Sequence, residues 1–430
     1  MNKALILTSV ASMILQFNLD NIALLQELGY EVEVGCNFER GNTCSRQEIA
    51  RLRGFLREHS VKCHQIPFAR NVREIREHEK AYKKLKKLFQ KEHYTLVHCQ
   101  SPIGGVLGRF AGKRLTPLRV IYTAHGFHFY KGAPWKNWLL FYPVEWLCSW
   151  WTDVLITMNE EDNQLAKKQL HAKKTVYVPG IGIDTDSFYQ AGTDPEIRSR
   201  TRQALGLEKE DILLLSVGEL SKRKNHQVIV EAMALPEIQE IAGIRKLVDT
   251  KEYSSEITKS IPTGDSFKLR YAIAGLGDLE NELKMQIQRL GIGDKVSLLG
   301  FRTDTKELLA AADIFVFPSL QEGLPVALME AMAAGVCCVV SDIRGNRDLV
   351  NAIREKQALQ ETVNKRMIMV KGNRPEDWCQ AVAEMAGRIG EERSNGMETE
   401  AKARQYSRVK GRFDREEVRK VMRRVYGRTL

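Results

Sequence analysis

Two glutamates separated by seven residues stand in PSLQEGLPVALMEAMAAG (318–335), directly after an apolar run. Pro325 suits the first turn of a helix, where its missing N–H costs nothing. Glu322 then lies on the loop before the helix and Glu330 inside it. A carboxylate at the mouth and a second one deeper can hold two ends of one polyol ligand. The peptide N–H groups of Gly323 and Leu324 can face hydroxyls or a phosphate, helped by the helix dipole. Gly323 also lets the backbone approach a ligand closely.

A second segment supplies the opposite charge. LLLSVGELSKRKNHQVIVEAM (213–233) reads as strand, glycine turn at Gly218, basic cluster, helix. Lys222, Arg223 and Lys224 before a helix N-terminus make a diphosphate cradle. A third segment, IYTAHGFHFYKG (121–132), places His125 and the permissive Gly126 at the carboxyl end of a strand, where open α/β sheets bind ligands. His128 in the same loop is a weaker candidate. In AIAGLGDLENEL (272–283), Gly275 and Gly277 form a turn between strand and helix. After the first strand, Ser9, Ala11 and Ser12 are small enough for close approach of an acceptor or a diphosphate. Asp184 and Asp186 form a D-x-D pair, a pattern that can hold a metal-bound diphosphate. Its place in an aperiodic stretch favours a structural reading.

These segments need elements to position them, and short β-like runs alternate with helical patterns along the whole chain. That alternation predicts an α/β protein with parallel sheets. At 430 residues the chain exceeds one comfortable core. Strand patterns at 4–8, 31–35, 95–99, 119–123, 153–157 and 175–179 form one set. A second set begins at 211–218 and continues at 267–275, 295–300, 313–319 and 336–342. Between them PGIGIDTDSFYQAGTDPE (179–196) reads as a linker. The expected organisation is two Rossmann-like domains facing each other across a cleft, residues 1–188 and residues 189–407. An amphipathic helix over 408–430 returns to the first domain. Residues 236–266 form a polar excursion.

Lys and Arg number 65 against 54 Asp and Glu, a net charge of +11 that favours anionic ligands or surfaces. The excess concentrates at 70–91 and 401–430. Eight cysteines without C-x-x-C spacing argue for reduced thiols rather than a zinc or redox site, and for a cytoplasmic protein. No run of 18 apolar residues exists. A nucleic-acid-binding protein would fit the charge, but no binding motif accompanies it.

The E-x7-E string, the basic cluster and the T-x-H-G loop together resemble the retaining glycosyltransferases of family 4, which have the GT-B fold. The resemblance runs from the first strand to about Asp348 and includes the C-terminal helix. It implies a hexosyltransferase that retains anomeric configuration and needs neither metal nor cofactor. The donor would be a nucleotide-sugar, taken as UDP-linked. Glu330 would bind the ribose. Glu322, with the backbone of Gly323, Leu324 and Pro325, would contact the sugar, as would His125. Lys224 would neutralise the diphosphate. Gly275 and Gly277 would line the nucleotide pocket, and the backbone of Phe301 or Arg302 would read the base. Four departures stand out, the inserted segment 236–266 among them. The family's diphosphate-binding Arg is Glu219 here, leaving Arg223 or Lys222 to replace it. The Gly-Gly loop after the first strand is missing. NAIREKQALQETVNK (351–365) replaces a glycine-rich turn. The acceptor implied is a glycan or a polyprenyl-diphosphate-linked sugar in bacterial cell-surface polysaccharide (capsule or exopolysaccharide) assembly. A sugar-nucleotide epimerase of the same fold is the alternative. Five of the six tryptophans crowd into residues 135–151. With the basic helix at 70–91, they predict peripheral contact with the anionic inner face of the plasma membrane.

Overall fold

The computed structural model describes residues 2–69, 71–113, 115, 117–238, 268–353 and 365–427. The chain forms two compact units, residues 1–182 with 416–430, and residues 183–415. The crossings fall at Gly182–Ile183 and Arg415–Glu416, rather than at 188–189 and 407–408. The physical reason lies in the side chains. Phe188 and Phe413 are buried in the core of the second unit, so the chain on either side of them must belong there.

The first unit holds a seven-stranded parallel sheet of β1 (Asn2–Val10), β2 (Tyr30–Asn37), β3 (Lys62–Gln65), β4 (Leu96–Cys99), β5 (Arg119–Ala124), β6 (Val154–Thr157) and β7 (Lys174–Tyr177). Its spatial order is β3-β2-β1-β4-β5-β6-β7. Ile6 lies opposite Val34 on one side and His98 on the other. The second unit holds a six-stranded sheet of β8 (Ile212–Val217), β9 (Leu269–Ala274), β10 (Val296–Gly300), β11 (Ile314–Phe317), β12 (Cys337–Ser341) and β13 (Met367–Val370). Its order is β10-β9-β8-β11-β12-β13. Central strands are buried along most of their length because helices cover both faces, which is why they read as continuous apolar runs. The polar, partly exposed edge strand β3 gave no such run. In both units the order reverses beside the first strand, between β1 and β4 and between β8 and β11. These are the topological switch points where such sheets bind ligands.

The expected linker at 179–196 is a helix in its own right. Asp184 accepts a hydrogen bond from the N–H of Ser187 and caps Thr185–Thr193, and Asp194 caps the next helix, Pro195–Ala204. Asp186 pairs with Lys410 at 2.7 Å. The D-x-D string therefore caps and clasps. The amphipathic segment near the C-terminus is broken at Asp414: Phe413 ends the helix Glu398–Phe413, and a new helix, Arg415–Tyr426, begins at once. The latter buries Val418, Met422, Val425 and Tyr426 in the first unit's core. The excursion at 236–266 lies beyond residue 238 outside the described residues, as does most of 351–365. Among the described residues no helix is long and apolar enough to cross a membrane.

Candidate active site

At the switch point of the second unit, two loops meet. The loop after β8 brings Arg223 and Lys224, and the loop after β11 brings Glu322. Both cations bind the same carboxylate oxygen: Arg223 Nη1 at 2.6 Å and Lys224 Nζ at 2.8 Å from Glu322 Oε1. Arg223 also donates to the carbonyl of Gln321, and the N–H of Leu320 donates to the carbonyl of Arg223, so the loops are stitched together. Lys224 is buried, with its ammonium 4.5 Å from the centre of the Phe317 ring. Burial lowers its pKa, an effect that Glu322 opposes. Asn225 adopts the left-handed conformation to turn this loop into the helix His226–Ala232. Glu219 stands 3.9 Å from Arg223. The cation beside Lys224 is thus Arg223, while Lys222 makes no ion pair to Glu322.

The glycines serve the loops themselves. A Cβ on Gly275 would lie 1.9 Å from the carbonyl oxygen of Gly218, and one on Gly277 would lie 2.3 Å from that of Leu220. Gly218 itself adjoins the Lys224 side chain. Pro325 occupies the N-cap position and the helix begins at Val326, one residue later than the sequence pattern predicts. The N–H groups of Gly323 and Leu324 have no hydrogen-bond partner among the described residues. Within the helix Val326–Ala333, Glu330 has no such partner either, and burial pushes its carboxyl up to about 7 against a weaker opposing effect from Lys306. Phe301 is exposed after β10, and Arg302 is held by Asp304.

In the first unit, His125 follows β5 and Gln100 follows β4. His125 Nε2 is 3.3 Å from Gln100 Oε1, and burial lowers its pKa to about 4, so the imidazole is neutral at physiological pH. Gly126 has φ 139°, a conformation that glycine supplies readily. His128 is exposed and lies against Phe141. The segment expected as an open loop at Ser9, Ala11 and Ser12 is buried, because β1 runs straight into the helix Ala11–Phe17. Ser9 shares a 2.7 Å hydrogen bond with Ser101, the N-cap of the helix Pro102–Gly112. Ser12 binds Asn42 and Thr43. The structure therefore gathers Arg223, Lys224 and Glu322 in one unit, and His125 with Gln100 in the other. Gln100 and Asn18 were not singled out from sequence. The only available signal was their position at the ends of elements beside the switch point.

Two doubly wound sheets, with a paired carboxylate and cations at one switch point, define the class: this is the GT-B fold of glycosyltransferases. Residues 19–187 match the family description "Glycosyltransferase Family 4", and residues 197–369 match "Glycosyl transferases group 1". The chain belongs to glycosyltransferase family 4. It is 32% identical over 295 residues to an Escherichia coli UDP-Gal:alpha-D-GlcNAc-diphosphoundecaprenol alpha-1,3-galactosyltransferase, covering 68% of this chain and 69% of that one. It is 38% identical over 272 residues to EpsD of Bacillus subtilis, itself a glycosyltransferase by assignment only. That match covers 63% of this chain and just under two thirds, 64%, of the relative. The fold is similar to that of HepE from Anabaena, solved in complex with UDP-glucose (TM-score 0.67, 17% identity, 99% of each chain). It is also similar to WaaG, a glycosyltransferase involved in lipopolysaccharide biosynthesis (TM-score 0.63, 14% identity, 99% of this chain and 100% of that one).

Proposed function

We propose that the protein transfers a hexose or N-acetylhexosamine from a UDP-sugar to a glycan or polyprenyl-diphosphate-linked acceptor, with retention at the anomeric carbon. The carrying observation is the Arg223–Glu322–Lys224 cluster at the β8/β11 switch point. A donor diphosphate entering there competes with Glu322 for both cations. Once released, the Glu322 carboxylate is free to accept hydrogen bonds from the donor sugar, with the N–H groups of Gly323 and Leu324 beside it. Glu330 is a half-buried carboxylate with no hydrogen-bond partner among the described residues, suited to two ribose hydroxyls. The named donor and acceptor of the E. coli relative and the UDP-glucose complex of HepE support the choice of a UDP-sugar and a lipid-linked acceptor.

In the reaction the bond from the anomeric carbon to the β-phosphate oxygen breaks. The acceptor oxygen bonds to the same face of that carbon, and its proton passes to the departing phosphate. Lys224 and Arg223 stabilise the charge growing on the diphosphate, electrostatic work that a preorganised and partly desolvated site does well. His125, neutral, orients a sugar hydroxyl. Two positive side chains supply the neutralisation that a divalent ion gives elsewhere, so activity should survive EDTA. A peripheral position on anionic membrane is supported by the exposed apolar side chains of the helix Trp135–Ser149, among them Trp135, Leu139 and Leu140.

The test is a panel of sugar nucleotides incubated with lipid-linked acceptors, following nucleoside diphosphate release and the anomeric configuration of the product. Acceptor-dependent release of UDP with retention is expected. Conversion of the donor without any acceptor would instead establish the epimerase reading.

A further inference from the structure

Behind His125 lies a chain of buried amides whose donor and acceptor ends can be read off from one backbone carbonyl. Asn18 Nδ2 donates to the carbonyl of Met13 at 2.9 Å. That bond fixes the Asn18 amide: its Oδ1 must face the other way, toward Asn21 Nδ2 at 3.2 Å and toward the Gln100 amide. Gln100 must then present its NH2 group to Asn18, and the same NH2 lies 3.4 Å from His98 Nδ1. The remaining end of Gln100, Oε1, is an acceptor, and it meets His125 Nε2 at 3.3 Å. An acceptor there requires an N–H on that nitrogen. Asn18, His98 and Gln100 are all buried, so water cannot substitute for any of these partners.

We propose that Gln100 and Asn18 are positioning residues that hold His125 in its Nε2–H tautomer, leaving Nδ1 as the lone-pair nitrogen available to the donor sugar. The consequence for turnover rests on the assignment of His125 to the sugar; the tautomer itself does not. The same argument makes His98 Nδ1 an acceptor, which suits the Tyr426 hydroxyl at 2.7 Å and ties the network to the helix Arg415–Tyr426. His98 Nε2 meets Thr123 at 2.8 Å, so every hydrogen-bonding atom of that ring is used.

The experiment is imidazole ¹⁵N NMR on the full chain labelled at histidine, with His125 assigned by its loss in His125→Ala. The wild type should show a neutral His125 protonated at Nε2. A proton on Nδ1 overturns the proposal at once. Gln100→Met, which keeps length but removes both amide ends, should give a mixture of tautomers. It should also lower turnover about 10- to 100-fold, by analogy with lost orienting partners of other functional histidines, with the donor KM little changed. An unaltered tautomer in that variant also overturns it. Should Gln100→Met fail to fold, Asn18→Ala stands in. With the Asn18 Oδ1 acceptor removed, nothing fixes which end of the Gln100 amide faces His125, so the tautomers should mix and turnover should fall with them. An unaltered tautomer in that variant overturns the proposal as well. If His125→Ala retains full turnover, the assignment of His125 to the sugar fails while the tautomer result stands.

Discussion

At the residue scale, the two glutamates of the E-x7-E string are in different physical states, and variants should separate them. Glu322 is paired to two cations, so Glu322→Ala leaves Lys224 buried and without its partner. Its main loss should be turnover. Glu330 has no hydrogen-bond partner among the described residues, and Glu330→Ala should weaken UDP binding by roughly 1.5–3 kcal/mol, the worth of hydrogen bonds to a charged group; titration calorimetry reads it. Lys224→Ala should reduce turnover about 10²-fold or more, as the loss of an electrostatic donor does. Full activity in that variant would mean the diphosphate binds elsewhere. Glu330 also predicts a pH dependence. Its folded pKa of about 7 lies above the ordinary carboxyl value, so the native state holds the proton more tightly than the unfolded chain. Stability from this group is present below the unfolded value and declines as pH rises towards 7. Glu330→Gln should therefore raise the melting temperature at pH 8 and change it little at pH 4.

At the element scale, the helix Trp135–Ser149 combines an interior clamp with an outward apolar surface. Glu145 forms a two-point ion pair with Arg109, at 2.6 and 3.0 Å, and the Arg109 guanidinium lies 3.9 Å from the centre of the Tyr122 ring. Glu145→Ala strands a fully buried guanidinium and should cost about 3–5 kcal/mol, visible in denaturant melts. On the outer side, Trp135 is 69% and Trp150 56% exposed, with Leu139, Leu140, Trp146 and Leu147 also open to solvent. The helix Pro102–Gly112 packs against both this helix and the basic helix Ile75–Glu92, on which Lys83, Lys84, Lys86 and Lys87 are exposed. An apolar, tryptophan-rich surface near a polybasic one suits the interface of an anionic bilayer. Co-sedimentation with vesicles should require anionic lipid and weaken with salt. It should fall when those four lysines become Glu, and when Trp135 and Trp150 become Ser. Indifference to anionic vesicles at low salt would assign the acceptor to solution.

At the scale of the whole molecule, the sequence alone determined the class of fold and singled out charged groups that the structure brings together at the β8/β11 switch point. Strand–helix alternation, the E-x7-E string, the basic cluster and T-x-H-G are all local, and local pattern survives without knowledge of contacts. The polar edge strand β3 and the helix at 185–193 were missed because tertiary packing, rather than apolar periodicity, makes them. The C-terminal helix was legible as amphipathic, yet only the cores show that Phe413 belongs to one unit and Val418, Met422, Val425 and Tyr426 to the other. Removing residues 415–430 should accordingly expose the first unit's core and lower its melting transition more than that of the second. Which cation stands beside Lys224 was open from sequence, since Lys222 and Arg223 are equivalent as letters. The meeting of two loops at a switch point decided for Arg223. So too with His125: its residue type was readable, but its partner Gln100 and the amide chain back to Met13 join the ends of β1, β4 and β5, strands far apart in sequence. Hydrogen bonds between such ends depend on sheet order and register, which no single segment encodes.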